Sequence, residues 1–183
     1  MLFRSDGQFF QLRSDGKVLP VTDDLKAPFA SVHFFQKDQT FFLSRVNDFN
    51  RFKSVISEQL PDPSKIYGIK AKVACTYIKY RSPKPQVEPY PHLGVVINSQ
   101  AEFEKEEISG TLVGYYAPKA MKDVLVSGFH LHFISDNLEQ GGHVLDLIVK
   151  EAEIQLDEVS QVNIQLLDVN SSDQDQVEAQ TFF

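Results

Sequence analysis

The chain has 183 residues, a net charge of −7, 15 Phe and no Trp. That length suits one domain with a substantial hydrophobic core. The acidic balance, with no basic run and no aromatic–basic interleaving, argues against a nucleic-acid or anionic-membrane partner. The single cysteine, Cys75, excludes an internal disulfide; within Val73-Ala74-Cys75-Thr76 it reads as a small core residue, since no neighbouring base marks it as a catalytic thiol. The N-terminus lacks the apolar run of a signal peptide, and no segment approaches membrane-spanning length, so a cytoplasmic protein without a membrane partner is expected.

The first 45 residues read as strands and turns. RSDG occurs at Arg4–Gly7 and again at Arg13–Gly16, and each Asp-Gly is a tight-turn signal because glycine tolerates positive φ. Gln8–Leu12 between them is short, aromatic and strand-like. VHFF (Val32–Phe35) and TFFL (Thr40–Leu43) are expected to pair as strands across the polar QKDQ. Asp48–Leu60 is the clearest helix: Phe49, Phe52, Val55, Ile56 and Leu60 share one face, Asn47 or Asp48 caps the start, and Pro61 stops it. Ile66–Lys79 is extended and rich in β-branched and aromatic residues. Four prolines stiffen the loop Ser82–His92. From Gly94 onward LGVVI, EISGTLVGYYA, VSGFHLHFIS, HVLDLIVKEAEIQL and QVNIQLL suggest an antiparallel meander. The reading is a single α+β domain dominated by mixed and antiparallel sheet, with an N-terminal lobe (about 1–92), a β-rich C-terminal lobe (about 93–170) and a polar tail (171–183).

Three of the five histidines fall within Gly128–Val144, GFHLHFISDNLEQGGHV. In a strand, Phe129, Leu131 and Phe133 point to one face and His130 and His132 to the other. A turn centred near Asn137 and Leu138 sets Ser135 against Gln140 and His132 directly against His143, on the same face. A one-residue slip would turn His143 away. Three neutral imidazoles with an open fourth position form a catalytic zinc pattern, and Gly141-Gly142 lets backbone or substrate come close. Nickel, iron or cobalt could use the same ligands. His33 and His92 have no such partner and read as incidental, His92 being a candidate for the rim of the site.

GTLVGYYAP (Gly110–Pro118), GFHLHFIS and GGHVLD (Gly141–Asp146) resemble the signature region of acetolactate decarboxylases. Ile66–Pro91 is similar to that family's strand, arginine-bearing turn and proline loop, and Ala27–Phe35 to the segment before its helix. The resemblance covers most of residues 5–150 in order. It implies a zinc enzyme that converts 2-acetolactate, a 2-hydroxy-3-oxo acid, to acetoin and carbon dioxide, with His130, His132 and His143 holding the metal. The metal would chelate the substrate and stabilise an enediolate. Arg81, which composition alone would leave as a solvated loop charge, takes an active-site position by its place in the motif, where its fork suits a carboxylate. The family also has a glutamate just before the strand resembling Leu2–Phe10; the matching position is about Met1, so either the chain is trimmed or mis-started, or it is a shortened relative. A second family glutamate, near the C-terminus, has Glu178 as its nearest counterpart. Homodimers are the family's habit. The alternatives are a non-enzymatic metal- or ligand-binding relative on the same fold, and a different zinc-dependent lyase or hydrolase, for which no general base stands out.

Overall fold

The computed structural model describes residues 2–5, 8–21, 31–87, 89, 91, 95–96 and 99–164. Strands β1 (Leu2–Ser5), β2 (Gln8–Leu12) and β3 (Val18–Pro20) form a small antiparallel sheet in that order. The second RSDG repeat connects β2 to β3. Ser5 pairs with Gln8 across residues 6 and 7, which lie outside the described residues. At the second repeat the Arg13 amide donates to the Lys17 carbonyl at 2.9 Å, and Gly16 takes φ +78°, a conformation that favours glycine.

The main sheet has the order β4 (Gln39–Val46), β8 (Gly141–Val159), β5 (Ile66–Ser82), β6 (Ala101–Ala117), β7 (Gly128–Ser135), all antiparallel. The start of β8 also pairs with β7, so β5, β6, β7 and β8 close on themselves. Strands from both sides of residue 92 therefore share one sheet. The ladder skips Arg45 on β4, Thr76 on β5, Glu107 on β6, and both Leu145 and Lys150 on β8. Arg45 and Glu107 adopt φ of 55° and 45° there. Such interruptions bend and twist strands, which 17- and 19-residue strands need if one sheet is to wrap a core.

Helix α1 (Phe49–Glu58) covers that core. Asp48 caps it, its carboxylate accepting the Arg51 amide at 2.8 Å. Asp146 of β8 accepts the Phe49 amide at 3.1 Å, which fastens the helix start to the strand that carries His143. Phe52 and Ile56 are fully buried in the core cluster that also holds Ile69, Val73, Leu147 and Ile154, a burial worth about 1.5–3 kcal/mol per side chain. A second cluster, Phe10, Leu12, Val18 and Ile134 with Val113, joins the small sheet to β6 and β7. The Ser82 hydroxyl donates to the Leu12 carbonyl at 2.7 Å and ties the end of β5 to the same place.

Three strand expectations fail. Residues 31–37, including VHFF, are irregular. Asp157 captures this segment instead, accepting from His33 Nε2 at 2.8 Å and from the Gln36 amide. Val95 and Val96, the described part of LGVVI beyond Gly94, are not in a strand. Gln161–Ile164, the described part of QVNIQLL, are exposed and outside the sheet, which ends with β8 at Val159. In the other direction, β6 starts at Ala101 and takes in the charged EFEKE stretch; Phe103 supplies the apolar anchor, stacking on Tyr80 with centroids 5.5 Å apart. Cys75 is buried as a free thiol, and burial pushes its pKa up to about 12.

Candidate metal centre

The β7–β8 hairpin has the register that alternation suggested. Ser135 donates from its amide to the Gln140 carbonyl at 2.9 Å, Leu138 turns with φ 58°, and His132 stands opposite His143. His130, two residues along β7, shares their face. The three imidazoles meet edge to face, with centroids 4.9 Å apart for His130–His132, 4.9 Å for His130–His143 and 5.5 Å for His132–His143. Their ligand nitrogens all lie within 4.8 Å of one another, and His130 Nε2 is 3.1 Å from His132 Nε2. Such a group can hold a metal ion.

Two glycines permit this convergence. A Cβ on Gly142 would lie 2.6 Å from the Arg81 carbonyl oxygen and 2.7 Å from Tyr80 Cδ2, so β8 can enter between β7 and β5 only without a side chain there. A Cβ on Gly114 would drive into the backbone of His130. Gly114 thus lets β6 press against the strand that carries two of the imidazoles.

All three rings are held in the neutral form. Burial, then the Arg81 charge, lowers the pKa of His130. Burial, then His130 and Arg81, brings His143 down to about 4. Burial, then the two neighbouring imidazoles, sets His132 well below its ordinary value. A neutral imidazole has a free lone pair, the state a metal needs.

Arg81 stands opposite His143 in the β5–β8 ladder and opposite Glu102 in the β5–β6 ladder. Its Nε is buried without a hydrogen-bond partner, while Glu102 is engaged by Lys79 at 2.8 Å. Arg81 is half-buried in β5 itself, and so it is neither in a loop nor simply solvated. A buried guanidinium N–H without an acceptor leaves a donor for a bound anion. Glu178 and His92 lie outside the described residues. His33 is far from incidental, since it joins Asp157 in anchoring residues 31–38. Sequence reasoning passed over Tyr115, whose ring stacks on His130 with centroids 5.4 Å apart and planes 21° apart. The signal was the GTLVGYYA stretch: once β6 is paired with β7, Tyr115 falls opposite His130.

The alpha-acetolactate decarboxylase family model matches residues 2–178. An alpha-acetolactate decarboxylase of Methanosarcina mazei is 39% identical over 152 residues, which cover 83% of this chain and 53% of that protein. One from Brevibacillus brevis is 34% identical over 160 residues, covering 87% and 56%. The crystal structure of alpha-acetolactate decarboxylase from Bacillus subtilis strain 168 superposes with a TM-score of 0.88 at 30% identity, covering 92% of this chain and 72% of that one. The chain thus spans little more than half the length of these first two relatives. Among the described residues no helix is long and apolar enough to cross a membrane. The match runs through every element that builds the imidazole cluster, and the chain belongs to the alpha-acetolactate decarboxylase family.

Proposed function

We propose that this chain decarboxylates 2-acetolactate to acetoin and carbon dioxide, using a metal ion, zinc by first choice, on His130, His132 and His143. The observation that carries this reading is the convergence of three neutral imidazoles within 4.8 Å in a chain of this family. The donor set fits the ion: three nitrogen ligands and no thiolate, a set that in catalytic zinc sites leaves the fourth position to water or substrate. When bound, the ion supplies Lewis-acid stabilisation for negative charge that develops on the substrate oxygens.

The residues of the chain do the rest. The bond to the carboxylate breaks, its electron pair stays on the former C2, and a proton must reach that carbon. Arg81, with its buried and unpartnered Nε, orients the carboxylate and keeps a fixed positive charge beside the reacting atoms. The imidazoles are uncharged at neutral pH, so none has an imidazolium proton to give as the acid. In this reading Glu178 is the chain's own candidate to deliver that proton. The protein acts as a cytoplasmic homodimer, which light scattering of the purified protein tests.

One observation favours a second reading, a metal- or ligand-binding relative without turnover. Among the described residues the ligand cluster consists of imidazoles alone, and no carboxylate joins it. Acetoin formation from racemic 2-acetolactate by zinc-loaded protein separates the two, with His132→Ala as the blank for spontaneous decarboxylation. Turnover above that blank supports the enzyme. One zinc per chain without turnover supports the binding protein.

A further inference from the structure

A histidine that ligates a metal is usually held by a hydrogen bond from its second ring nitrogen to a carboxylate, carbonyl or water. His130 lacks that restraint. Its Nε2 faces His132, and its Nδ1 is buried without a partner among the described residues. Something else has to fix the plane of this ring.

Tyr115 lies directly across the β6–β7 ladder from His130. Its ring stacks nearly parallel on the imidazole, 21° between planes and 5.4 Å between centroids. Gly114, beside it, brings β6 hard against the His130 backbone. One strand therefore grips both ends of the residue, the backbone through a glycine and the ring through an aromatic face. The Tyr115 hydroxyl has a separate engagement: it accepts the Val126 amide at 3.3 Å. Val126 lies two residues before β7, in a segment that begins with a single 3-10 turn (Lys119–Met121) and whose Val124 and Leu125 amides donate to the Met121 carbonyl at 2.9 Å. The same side chain thus touches a candidate ligand with its face and the segment leading into β7 with its tip.

We propose that Tyr115 is a positioning residue for the metal centre. Its ring fixes the plane of the His130 imidazole, and its hydroxyl ties residues 118–127 to that imidazole. The inference rests on the three-histidine metal reading above. Tyr116 makes a natural control. It points to the opposite face, packs on Phe129 with centroids 5.2 Å apart, and donates to the Pro63 carbonyl at 2.9 Å. It supports the fold without touching the imidazoles.

The test is zinc affinity, by competition with a chromophoric chelator, together with the visible spectrum of the cobalt(II)-loaded protein. Wild type, Tyr115→Leu, Tyr115→Phe and Tyr116→Leu are compared. Loss of a group that orients a ligand typically costs 10–100-fold in metal affinity, so Tyr115→Leu is expected to bind zinc about 10–100-fold more weakly and to change the cobalt bands. Tyr115→Phe should bind within about twofold of wild type but lose hydrogen-exchange protection at the Val126 amide. Tyr116→Leu should melt lower as apoprotein with wild-type zinc affinity and cobalt bands. If wild type itself holds no metal on these histidines, the metal reading fails and takes this inference with it. If wild type binds one zinc and Tyr115→Leu matches it in affinity and spectrum, the metal reading stands and the role of Tyr115 is refuted. Should Tyr115→Leu not fold, Tyr115→Val takes its place for the ring, and wild-type affinity and bands there refute the stacking role; unchanged protection at Val126 in Tyr115→Phe refutes the tie.

Discussion

Gly142 is the point where three strands are forced together, and Gly142→Ala tests whether that crowding is real. The added Cβ would sit 2.6 Å from the Arg81 carbonyl oxygen, 2.7 Å from Tyr80 Cδ2 and 3.1 Å from the Arg81 carbonyl carbon. Carbon atoms rest about 3.5 Å apart, so the Tyr80 ring has to yield roughly 0.8 Å. It cannot do so freely. Tyr80 is only 1% exposed, stacked on Phe103 and leaning on Phe133, and the other two atoms belong to the ladder backbone. Overpacking of this kind costs about 1–3 kcal/mol. In a chain of this size each kcal/mol moves the melting midpoint by about 2–4 °C, so the apoprotein should melt about 2–12 °C lower. The strain falls between Arg81 and His143, so zinc affinity should drop as well. Thermal melts by circular dichroism and chelator competition measure the two effects. A midpoint within about 1 °C of wild type, with zinc affinity unchanged, would mean that β8 does not enter between β7 and β5 as described and that Arg81 does not face His143.

Three further outcomes are expected. His132→Ala should abolish stoichiometric zinc and any acetoin formation together, because two imidazoles hold only a labile ion; a variant that keeps one tightly bound zinc would refute the three-ligand set. Arg81→Ala should keep its zinc but turn over at least about tenfold more slowly, a loss of about 1.4 kcal/mol or more of transition-state binding; unchanged kcat and KM would remove Arg81 from the site. The stability of the apoprotein should fall in mild acid. The unfolded chain takes up protons near pH 6.5, whereas His143 in the folded chain does so only near 4 and His130 and His132 are also depressed. The stabilising effect is therefore complete above pH 6.5 and declines as pH falls toward 4. For His143 alone the fall from about 6.5 to about 4 corresponds to roughly 3 kcal/mol. Urea midpoints of wild type and His143→Gln, compared between pH 7 and 4.5, isolate this contribution; parallel pH profiles would refute it.

Features set by neighbours in sequence were legible before any coordinates. Helix α1 announced itself by apolar spacing, the Asp48 cap and Pro61, and these are local signals. The Asp15-Gly16 turn depends only on what a backbone tolerates at one residue. Features set by distant partners were hidden. VHFF has the composition of a strand, yet a buried carboxylate 124 positions beyond His33, Asp157, captures the segment and leaves it irregular. The charged EFEKE stretch has no clean alternation, yet β5 recruits it because Phe103 meets Tyr80. The interruptions at Arg45, Thr76, Glu107, Leu145 and Lys150 had no signal in any one segment, because a bend shared by four strands belongs to their pairing.

The candidate site divides along the same line. His130, His132 and His143 sit on one hairpin, so a two-residue period and one turn suffice to bring them together, and both can be counted from the sequence. Arg81 and Tyr115 arrive from β5 and β6, through pairings that join residues 62 and 15 positions apart. No periodicity within β5 says that Arg81 will face His143; that follows only once β8 is seen to pair on both edges, with β7 on one side and β5 on the other. Family resemblance could flag Arg81 because its sequence context travels with the motif. It could not flag Tyr115 as a partner of His130, since GTLVGYYA gives the residue but not the register. A ligand set can thus be read from one hairpin, while the groups that hold and use those ligands emerge only from the closed ring of strands around it.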